Sequence, residues 1–212
     1  MLIAQVSLSA GGGEVFLTGE NGENAVISLA DARKVGLIRY ADHPEELPAE
    51  ADGEMIAFLA RKFACVKYGV YLLGFSDKSR RAVNDKMRQK GYEEDVREAA
   101  LTVLEASGVI DDGRLCASRV RALAESKRYG PRRIKTELMA KGFPSGVVDV
   151  SLDDAAIDWF ENALAAAKGL IRRKKPETRE EIGAFKQKLA RMGYGYDTIN
   201  DVCGHLLSEA DD

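Results

Sequence analysis

The sequence predicts a mainly α protein of tandem three-helix repeats, preceded by a small N-terminal β element. Three segments recur at an interval of 51 residues, each with apolar residues four and eight positions before a glycine and an aromatic residue after it. They are VNDKMRQKGY at 83–92, IKTELMAKGF at 134–143 and FKQKLARMGY at 185–194. A period near 50 residues is typical of stacked helical units. We therefore expect three repeats that form an elongated, curved array.

Composition narrows the class of protein. The chain has 212 residues, of which 45% are hydrophobic, yet its apolar runs are too short to span a membrane. The N-terminus lacks the basic start of a secretory signal. The three cysteines are an odd number and lie far apart, which argues against a disulfide framework or a cysteine-rich metal site. Together these features predict a cytoplasmic protein.

The first 54 residues differ from the rest. β-Rich runs at 2–8 and 14–18, parted by three glycines, predict a hairpin, and 24–29 predicts a third strand. Ser28 can cap a short helix, and the prolines and acidic residues of 44–54 predict a linker. This segment carries a net charge of −7, whereas the remainder carries +4. The predicted domains are the β element with its linker at 1–54 and three-helix repeats at 55–108, 109–152 and 153–212.

Each repeat is expected to contain a longer helix, a short basic helix that ends at the periodic glycine, and a third helix. In the middle repeat these are 112–126, 131–141 and 144–152. The glycine supplies the left-handed residue that ends a helix. The apolar residues one turn apart share a buried face. Those residues are Val83 and Met87, Ile134 and Leu138, and Phe185 and Leu189.

Catalysis finds little support. The two histidines lie in the predicted linker and near the C-terminal end, and no nucleophile–base pair is evident. The paired aspartates at 111–112 and 153–154 lie where helices begin, where carboxylates favour the positive end of the helix dipole. Capping is therefore favoured over a metal site. We expect a protein without catalytic activity, cofactor or metal.

Basic side chains recur on the short helices. The segments 78–90 and 127–141 contain six basic residues each, and a third cluster lies at 172–175. At 100° per residue, Arg132 lies about 160° and Lys135 about 100° from the buried Ile134, so we expect both to be exposed. Such runs form either a solvated helix face or a stripe that binds a partner. Arginine's planar fork suits carboxylate and phosphate groups.

The segment 109–143, VIDDGRLCASRVRALAESKRYGPRRIKTELMAKGF, resembles the central motif of the RecX family of bacterial recombination regulators. The matching positions are Ile110-Asp111-Asp112, Arg114, Val120-Arg121, Tyr129-Gly130-Pro131-Arg132-Arg133-Ile134, Glu137-Leu138 and Lys141-Gly142. The flanking repeats are similar to the tandem three-helix units of that family. Gly113 departs from the pattern, because the family usually has an acidic residue there.

The resemblance implies a non-enzymatic modulator of the RecA recombinase. Such a protein binds the RecA filament on single-stranded DNA along its groove and suppresses ATP hydrolysis, strand exchange and filament extension. The predicted partner-binding residues are Arg121, Tyr129, Arg132, Arg133, Lys135, Arg172, Arg173, Lys174 and Lys175. Tyr129 remains open between packing and partner contact.

One alternative remains open. Three-helix units with a short basic helix also resemble helix-turn-helix modules, so the chain could instead bind nucleic acid without sequence specificity. Because of this likeness, DNA is a second candidate partner for the basic helices. The salt dependence of binding separates the two hypotheses, since each phosphate contact steepens it.

Overall fold

A computed structural model describes residues 1–171 and 176–208 of the chain. Its contacts divide the chain into two compact units. The first contains Met1–Asp77 and Val83–Ile110, and the second contains Lys78–Ala82 and the residues from Asp111 onward. No helix within the described ranges is both long enough and apolar enough to cross a membrane.

The first unit begins with an antiparallel sheet in the order β3-β2-β1-β4. Its strands are β1 (Leu2–Leu8), β2 (Glu14–Gly19), β3 (Asn24–Ser28) and β4 (Ala49–Glu50). The predicted hairpin and third strand are confirmed. The stretch predicted as a linker is partly regular, because it contains a 3-10 turn at Pro44–Glu46 and strand β4, which pairs with β1.

Two short helices follow β3, namely α1 (Leu29–Lys34) and α2 (Arg39–Asp42). The predicted cap of α1 is confirmed, since the Ser28 hydroxyl accepts a hydrogen bond from the Asp31 amide at 3.1 Å. The hydroxyl also donates to the Asp31 carboxylate at 2.6 Å, so this helix start holds its acidic side chain in place.

Helix α3 (Gly53–Phe75) contributes to two cores. In its N-terminal half, Ile56 and Leu59 pack with the buried face of the sheet. In its C-terminal half, Cys65 is buried with α4 (Arg80–Gln89) and α5 (Glu94–Ala106) in the core of the first repeat. The β element is therefore attached to the first repeat through a shared helix, which compensates for its small core.

The second unit contains the second and third repeats. Their helices are α6 (Asp112–Lys127), α7 (Pro131–Ala140), α8 (Ser145–Asp153), α9 (Trp159–Ile171), α10 (Arg179–Arg191) and α11 (Tyr196–Ser208). The helix start predicted at Asp111 is confirmed, because this residue caps α6. The start predicted at Asp153 and Asp154 is wrong, because these residues end α8 and the next helix begins only at Trp159. At the start of α10, Thr178 forms a capping box with Glu181. Trp159 packs against the core of the second repeat and Phe160 against that of the third.

The periodic glycines end the short helices as predicted. Gly91, Gly142 and Gly193 have φ of +95°, +92° and +96°, in the left-handed region that favours glycine. All six apolar residues that precede them at the four- and eight-residue spacings are buried. The mainly α fold of three-helix repeats is thus confirmed, and the elongated, curved shape stays a prediction.

Candidate functional site

The turn between α6 and α7 carries several of the predicted binding residues. Arg128 ends α6 with φ 53° and ψ 41°, and Gly130 precedes Pro131 at the first position of α7. A left-handed conformation costs a non-glycine residue about 1–2 kcal/mol. Contacts elsewhere in the second unit must therefore hold this turn.

Two side chains from the third repeat hold the turn between α6 and α7 in place. The Tyr194 hydroxyl donates to the Arg128 carbonyl at 2.8 Å, and the Asn162 side-chain amide donates to the Tyr129 carbonyl at 3.3 Å. The Arg128 guanidinium donates to Asn162 Oδ1 at 3.2 Å. Asn162 is 6% exposed and Tyr194 is 2% exposed, so leaving either buried polar group without its partner would be costly.

Backbone hydrogen bonds also join this turn to the third repeat. The Gly130 amide donates to the Met192 carbonyl at 2.7 Å, and the Arg132 amide donates to the Gly193 carbonyl at 3.2 Å. A Cβ atom at Gly193 would overlap the backbone of Arg133, and one at Gly130 would lie 2.5 Å from the Gly193 carbonyl carbon. The turn of the second repeat is thus seated directly on the glycine turn of the third.

Tyr129 and Arg133 belong to this docked turn. The Arg133 guanidinium lies 3.9 Å from the centroid of the Tyr129 ring, a cation–π contact. The same guanidinium donates to Glu137 and to the Arg191 carbonyl, each at 3.3 Å. These two residues therefore stabilise the junction between repeats, and Tyr129, left open by the sequence, packs there half-buried.

Arg132 is presented to solvent beside the junction. It is exposed as predicted, and its Nη2 atom lies 3.9 Å from the position that a Cβ of Gly195 would occupy. The next residue, Tyr196, begins α11 and is 72% exposed. Arg121 is also exposed, on α6. The structure thus places an arginine and a tyrosine on one open surface at the junction.

Lys135 differs from its prediction. It was expected to be exposed, but its side chain is half-buried, with 38% exposed, and its ammonium lies 2.6 Å from the Asp149 carboxylate on α8. The hydrogen bond from Lys135 lowers the pKa of Asp149. This prediction was wrong because the helical angle locates a side chain on its own helix and does not reveal partners on the next one.

The basic cluster Arg172, Arg173, Lys174 and Lys175 lies outside the described residues. Within the described ranges, no group of three metal-ligating side chains comes together. His43 lies 3.2 Å from Glu45, and His205 packs edge-on against Phe160.

Sequence reasoning missed Tyr196 and Asn162. Tyr196 follows a Gly-Tyr-Gly run that begins with the periodic glycine Gly193, which indicates a turn that displays its side chains. The role of Asn162 had no signal of its own, because its partners lie 33 and 34 residues away. A buried amide is recognised only when its partners are seen.

The chain is similar to known proteins of one family. Two family models match the chain: "RecX, first three-helix domain" at residues 65–104 and "RecX, second three-helix domain" at residues 111–152. The regulatory protein RecX of Actinobacillus pleuropneumoniae serotype 5b (strain L20) is 32% identical over 145 residues, which cover 68% of this chain and 91% of the relative. This chain belongs to the RecX family. The regulatory protein RecX of Haemophilus ducreyi is likewise 32% identical over 146 residues, 69% of this chain and 92% of the relative.

Solved structures support the fold. The crystal structure of RecX from Lactobacillus salivarius aligns with a TM-score of 0.64 at 24% identity, over 69% of this chain and 96% of that one. Another crystal structure of regulatory protein RecX aligns with a TM-score of 0.75 at 19% identity, over 96% of this chain and 98% of that one. The matched second domain contains the docked turn and Arg121, Arg132 and Lys135.

Proposed function

We propose that this chain is a non-enzymatic regulator that binds the RecA filament on single-stranded DNA along its groove, in the cytoplasm. Binding inhibits ATP hydrolysis, strand exchange and filament extension. Membership of the RecX family supports the proposal, because the relatives are named regulatory proteins. The motif that carries the family likeness also contains the exposed junction at Arg132.

Arg132 and Tyr196 form the centre of the proposed contact. Arginine offers a planar fork of donors to carboxylate or phosphate groups. Tyrosine and arginine are also enriched among the residues that dominate binding energy at protein interfaces. Arg121 and the basic cluster at Arg172, Arg173, Lys174 and Lys175 extend the proposed surface, whereas Lys135 is a weaker candidate because its charge is paired with Asp149.

The docked turn contributes by fixing the position of Arg132. The Arg132 amide is bonded to Gly193, and the neighbouring Tyr129 and Arg133 are held by their mutual stacking and by the third repeat. A side chain on a fixed backbone loses less conformational entropy on binding than one on a mobile loop. Tyr129 and Arg133 therefore act in the proposal by supporting the contact residue.

Titration of the DNA-dependent ATPase activity of RecA tests the function. We expect substoichiometric amounts of this chain to lower the ATPase rate of RecA from the same organism on single-stranded DNA. Substoichiometric action follows because one bound regulator at a growing filament affects many subunits. An ATPase rate that stays constant up to equimolar chain would overturn the proposal.

A charge reversal tests the surface. Arg132→Glu should raise the concentration needed for half-inhibition about tenfold, which corresponds to roughly 1.4 kcal/mol. The matched control is Arg119→Glu, the same charge reversal at an exposed position of α6. Arg119 lies about 160° around the helix from Arg121, so it faces away from the proposed surface. Equal effects of the two substitutions would remove Arg132 from the contact. Arg133→Glu is unsuitable, because it would also break the docked turn.

The salt dependence of binding separates this function from simple DNA coating. Direct binding to DNA loses affinity with a log–log slope near −0.9 per phosphate on duplex and about −0.7 on single strands. We expect a shallow slope and a requirement for RecA. Tight binding to DNA alone with a steep slope would favour the nucleic-acid-binding alternative.

A further inference from the structure

Arg81 of the first repeat and Arg132 of the second repeat are 51 residues apart, so they occupy the same register position. Each is the second residue of a short helix and lies two positions before the first buried apolar residue of that helix, Val83 or Ile134. Both arginines are exposed. In the third repeat the same register position is Gly183, which has no side chain.

The backbone around Arg81 is held by residues of the second repeat. Ser79 is 3% exposed, and its hydroxyl donates to the Lys141 carbonyl at 3.2 Å. The Arg80 amide donates to Asp112 Oδ1 at 2.8 Å. All of these residues belong to the second unit. The side chain of Arg81 is therefore presented from a fixed backbone.

The two arginines lie beside successive glycine turns. A Cβ at Gly142 would lie 2.9 Å from Cδ and 3.1 Å from Cβ of Arg81. The Arg132 amide donates to the Gly193 carbonyl at 3.2 Å. Because both arginines are part of the second unit, the fold of that unit sets the separation between them.

The guanidinium groups of Arg81 and Arg132 form no ion pair within the described ranges. Each of their helices has a single carboxylate, and another arginine of the same helix binds it. These pairs are Asp85 with Arg88 at 3.0 Å and Glu137 with Arg133 at 3.3 Å. The second unit has 21 basic and 17 acidic residues, whereas the first has 10 and 17. Two unpaired arginines on a unit of positive net charge favour an anionic partner.

Phosphates suit this pair of arginines better than the carboxylates of a protein. A planar guanidinium binds either group through two parallel hydrogen bonds. A protein would need two carboxylates at the separation that the fold imposes. A nucleic-acid strand has a phosphate at every nucleotide, so it offers one to each arginine whatever their separation. The partner that the charges favour is therefore a phosphodiester backbone.

We propose that Arg81 and Arg132 each bind a phosphate of the single-stranded DNA in the RecA filament, along a path that follows this register position from repeat to repeat. The inference rests on the proposed function, because the strand is that of the same filament. Two such contacts contribute a log–log salt slope of about −1.4 to filament binding. That slope is shallow beside the slope of a protein that coats DNA through many phosphates, so the contact agrees with a requirement for RecA.

Neutral replacement of each arginine tests the contact. Arg81→Gln and Arg132→Gln remove the charge but keep the Cβ, Cγ and Cδ atoms, which in Arg81 pack beside Gly142. Both variants should therefore keep the wild-type circular dichroism spectrum and melting temperature. The readout is the affinity for RecA filaments assembled on fluorescent oligo-dT, measured by anisotropy at a series of salt concentrations that leave the filament assembled.

We expect each substitution to weaken binding severalfold and to make the salt slope shallower by about 0.7, the contribution of one phosphate on a single strand. The matched control is Arg119→Gln, which removes the same charge from an exposed position of α6 and should leave both affinity and slope unchanged.

The glycine of the third repeat allows the opposite change. A Cβ at Gly183 would meet no heavy atom of the described residues within 4 Å, and the position is exposed. Gly183→Arg should bind the filament more tightly than Gly183→Gln and steepen the salt slope by about 0.7. The glutamine variant is the control, because it raises helix propensity to a similar extent without adding a charge.

Three results decide between the proposals. Unchanged salt slopes in both arginine variants would overturn the inference even if affinity fell, because the partner would then be a carboxylate of the protein. Equal binding by Gly183→Arg and Gly183→Gln would also overturn it, because the register position would not define the path. In either case inhibition of the RecA ATPase by the wild-type chain would still support the proposed function. If the wild-type chain neither binds the filament nor inhibits the ATPase, both proposals fail.

Discussion

The three periodic glycines share a backbone conformation but differ in what surrounds them. No heavy atom of the described residues would lie within 4 Å of a Cβ at Gly91. At Gly142 the Cβ would meet the side chain of Arg81 at 2.9 Å, and at Gly193 it would overlap the backbone of Arg133. The left-handed φ requires glycine at all three positions, and the packing adds a second requirement at Gly142 and Gly193.

Alanine substitutions separate these two requirements. Gly91→Ala should lower the free energy of unfolding by about 1–2 kcal/mol, the cost of a left-handed non-glycine residue. Gly193→Ala should cost at least about 2 kcal/mol more, because the docked turn must move away and its backbone hydrogen bonds weaken. Urea unfolding of both variants measures the difference. Equal losses would show that the turn is not docked on Gly193.

The buried tyrosine of the junction predicts an alkaline loss of stability. Burial raises the pKa of Tyr194 to about 12 from its ordinary 10. The folded chain then retains a proton that the unfolded chain releases, so stability is complete below pH 10 and falls between pH 10 and 12, by at most about 1.4 kcal/mol per pH unit. Urea unfolding at a series of pH values measures this fall.

Two comparisons control the pH prediction. Tyr194→Phe should make the fall between pH 10 and 12 smaller by the contribution of Tyr194, and at neutral pH it should cost about 1 kcal/mol through loss of the bond to Arg128. Burial also raises the pKa of Cys65 to about 11, which predicts a separate fall from pH 9 to 11 that this substitution leaves in place. An unchanged fall in Tyr194→Phe would contradict the assignment.

The candidate site could be predicted from the sequence only in part. Arg132 is exposed because its angle from Ile134 decides its environment, and that angle follows from the helix alone. Lys135 and Arg133 are engaged by Asp149 and the Arg191 carbonyl, which lie 14 and 58 residues away along the chain. Their environment depends on how helices pack, and no local pattern contains that information.

At the scale of elements, helix ends were predictable because their signals are local. Ser28, Asp111 and Thr178 cap helices through bonds to amides three residues ahead. Strand β4 was not predicted, because its two residues pair with Leu2 and Ile3 across 46 to 48 positions of chain. The fold class thus follows from period and caps, whereas the attachment of the β element does not.

That attachment depends on an ion pair with little exposure. Lys62 on α3 lies 2.5 Å from the Asp31 carboxylate of α1, with side-chain exposures of 12% and 8%. Asp31 also accepts a hydrogen bond from Ser28. A second pair, Lys67 with Glu14, joins the same helix to β2 at 2.8 Å but is far more exposed, at 60% and 31%.

These two pairs form a matched test of burial. Lys62→Ala should lower the free energy of unfolding by about 3 kcal/mol or more, because it leaves the Asp31 charge buried without its partner. Lys67→Ala should cost at most about 1 kcal/mol, since solvent screens an exposed pair. Urea unfolding of the two variants measures the loss of free energy of unfolding in each. A loss at Lys62 no larger than at Lys67 would mean that water reaches Asp31 freely.

Across the whole molecule, each repeat core contains one buried thiol. Cys65, Cys116 and Cys203 lie in the cores of the first, second and third repeats, and all three are free. Burial raises the pKa of each thiol, which lowers its reactivity further. The chain therefore carries an internal reporter of opening in every repeat.

Thiol labelling followed by mass spectrometry should exploit these reporters. We expect the folded chain to react slowly at pH 7.5 and the urea-unfolded chain to take up three labels rapidly. In Gly193→Ala the rate at Cys203 should rise severalfold while that at Cys65 stays unchanged, because the substitution weakens packing between the second and third repeats and leaves the core of the first untouched. Rapid labelling of all three thiols in the folded wild type would contradict the buried cores.

The docking at the periodic glycines has a direction. Gly193 receives the turn of the second repeat, Gly142 faces the Arg81 side chain, and Gly91 stands open among the described residues. At both Gly142 and Gly193 the contact thus comes from residues that precede the glycine in the chain, so the contacts run in one direction along the sequence. Duplication of one 51-residue segment would yield a chain whose new member fits at once, provided that it kept its glycine. A copy that lacked this glycine would have no room for the turn that precedes it.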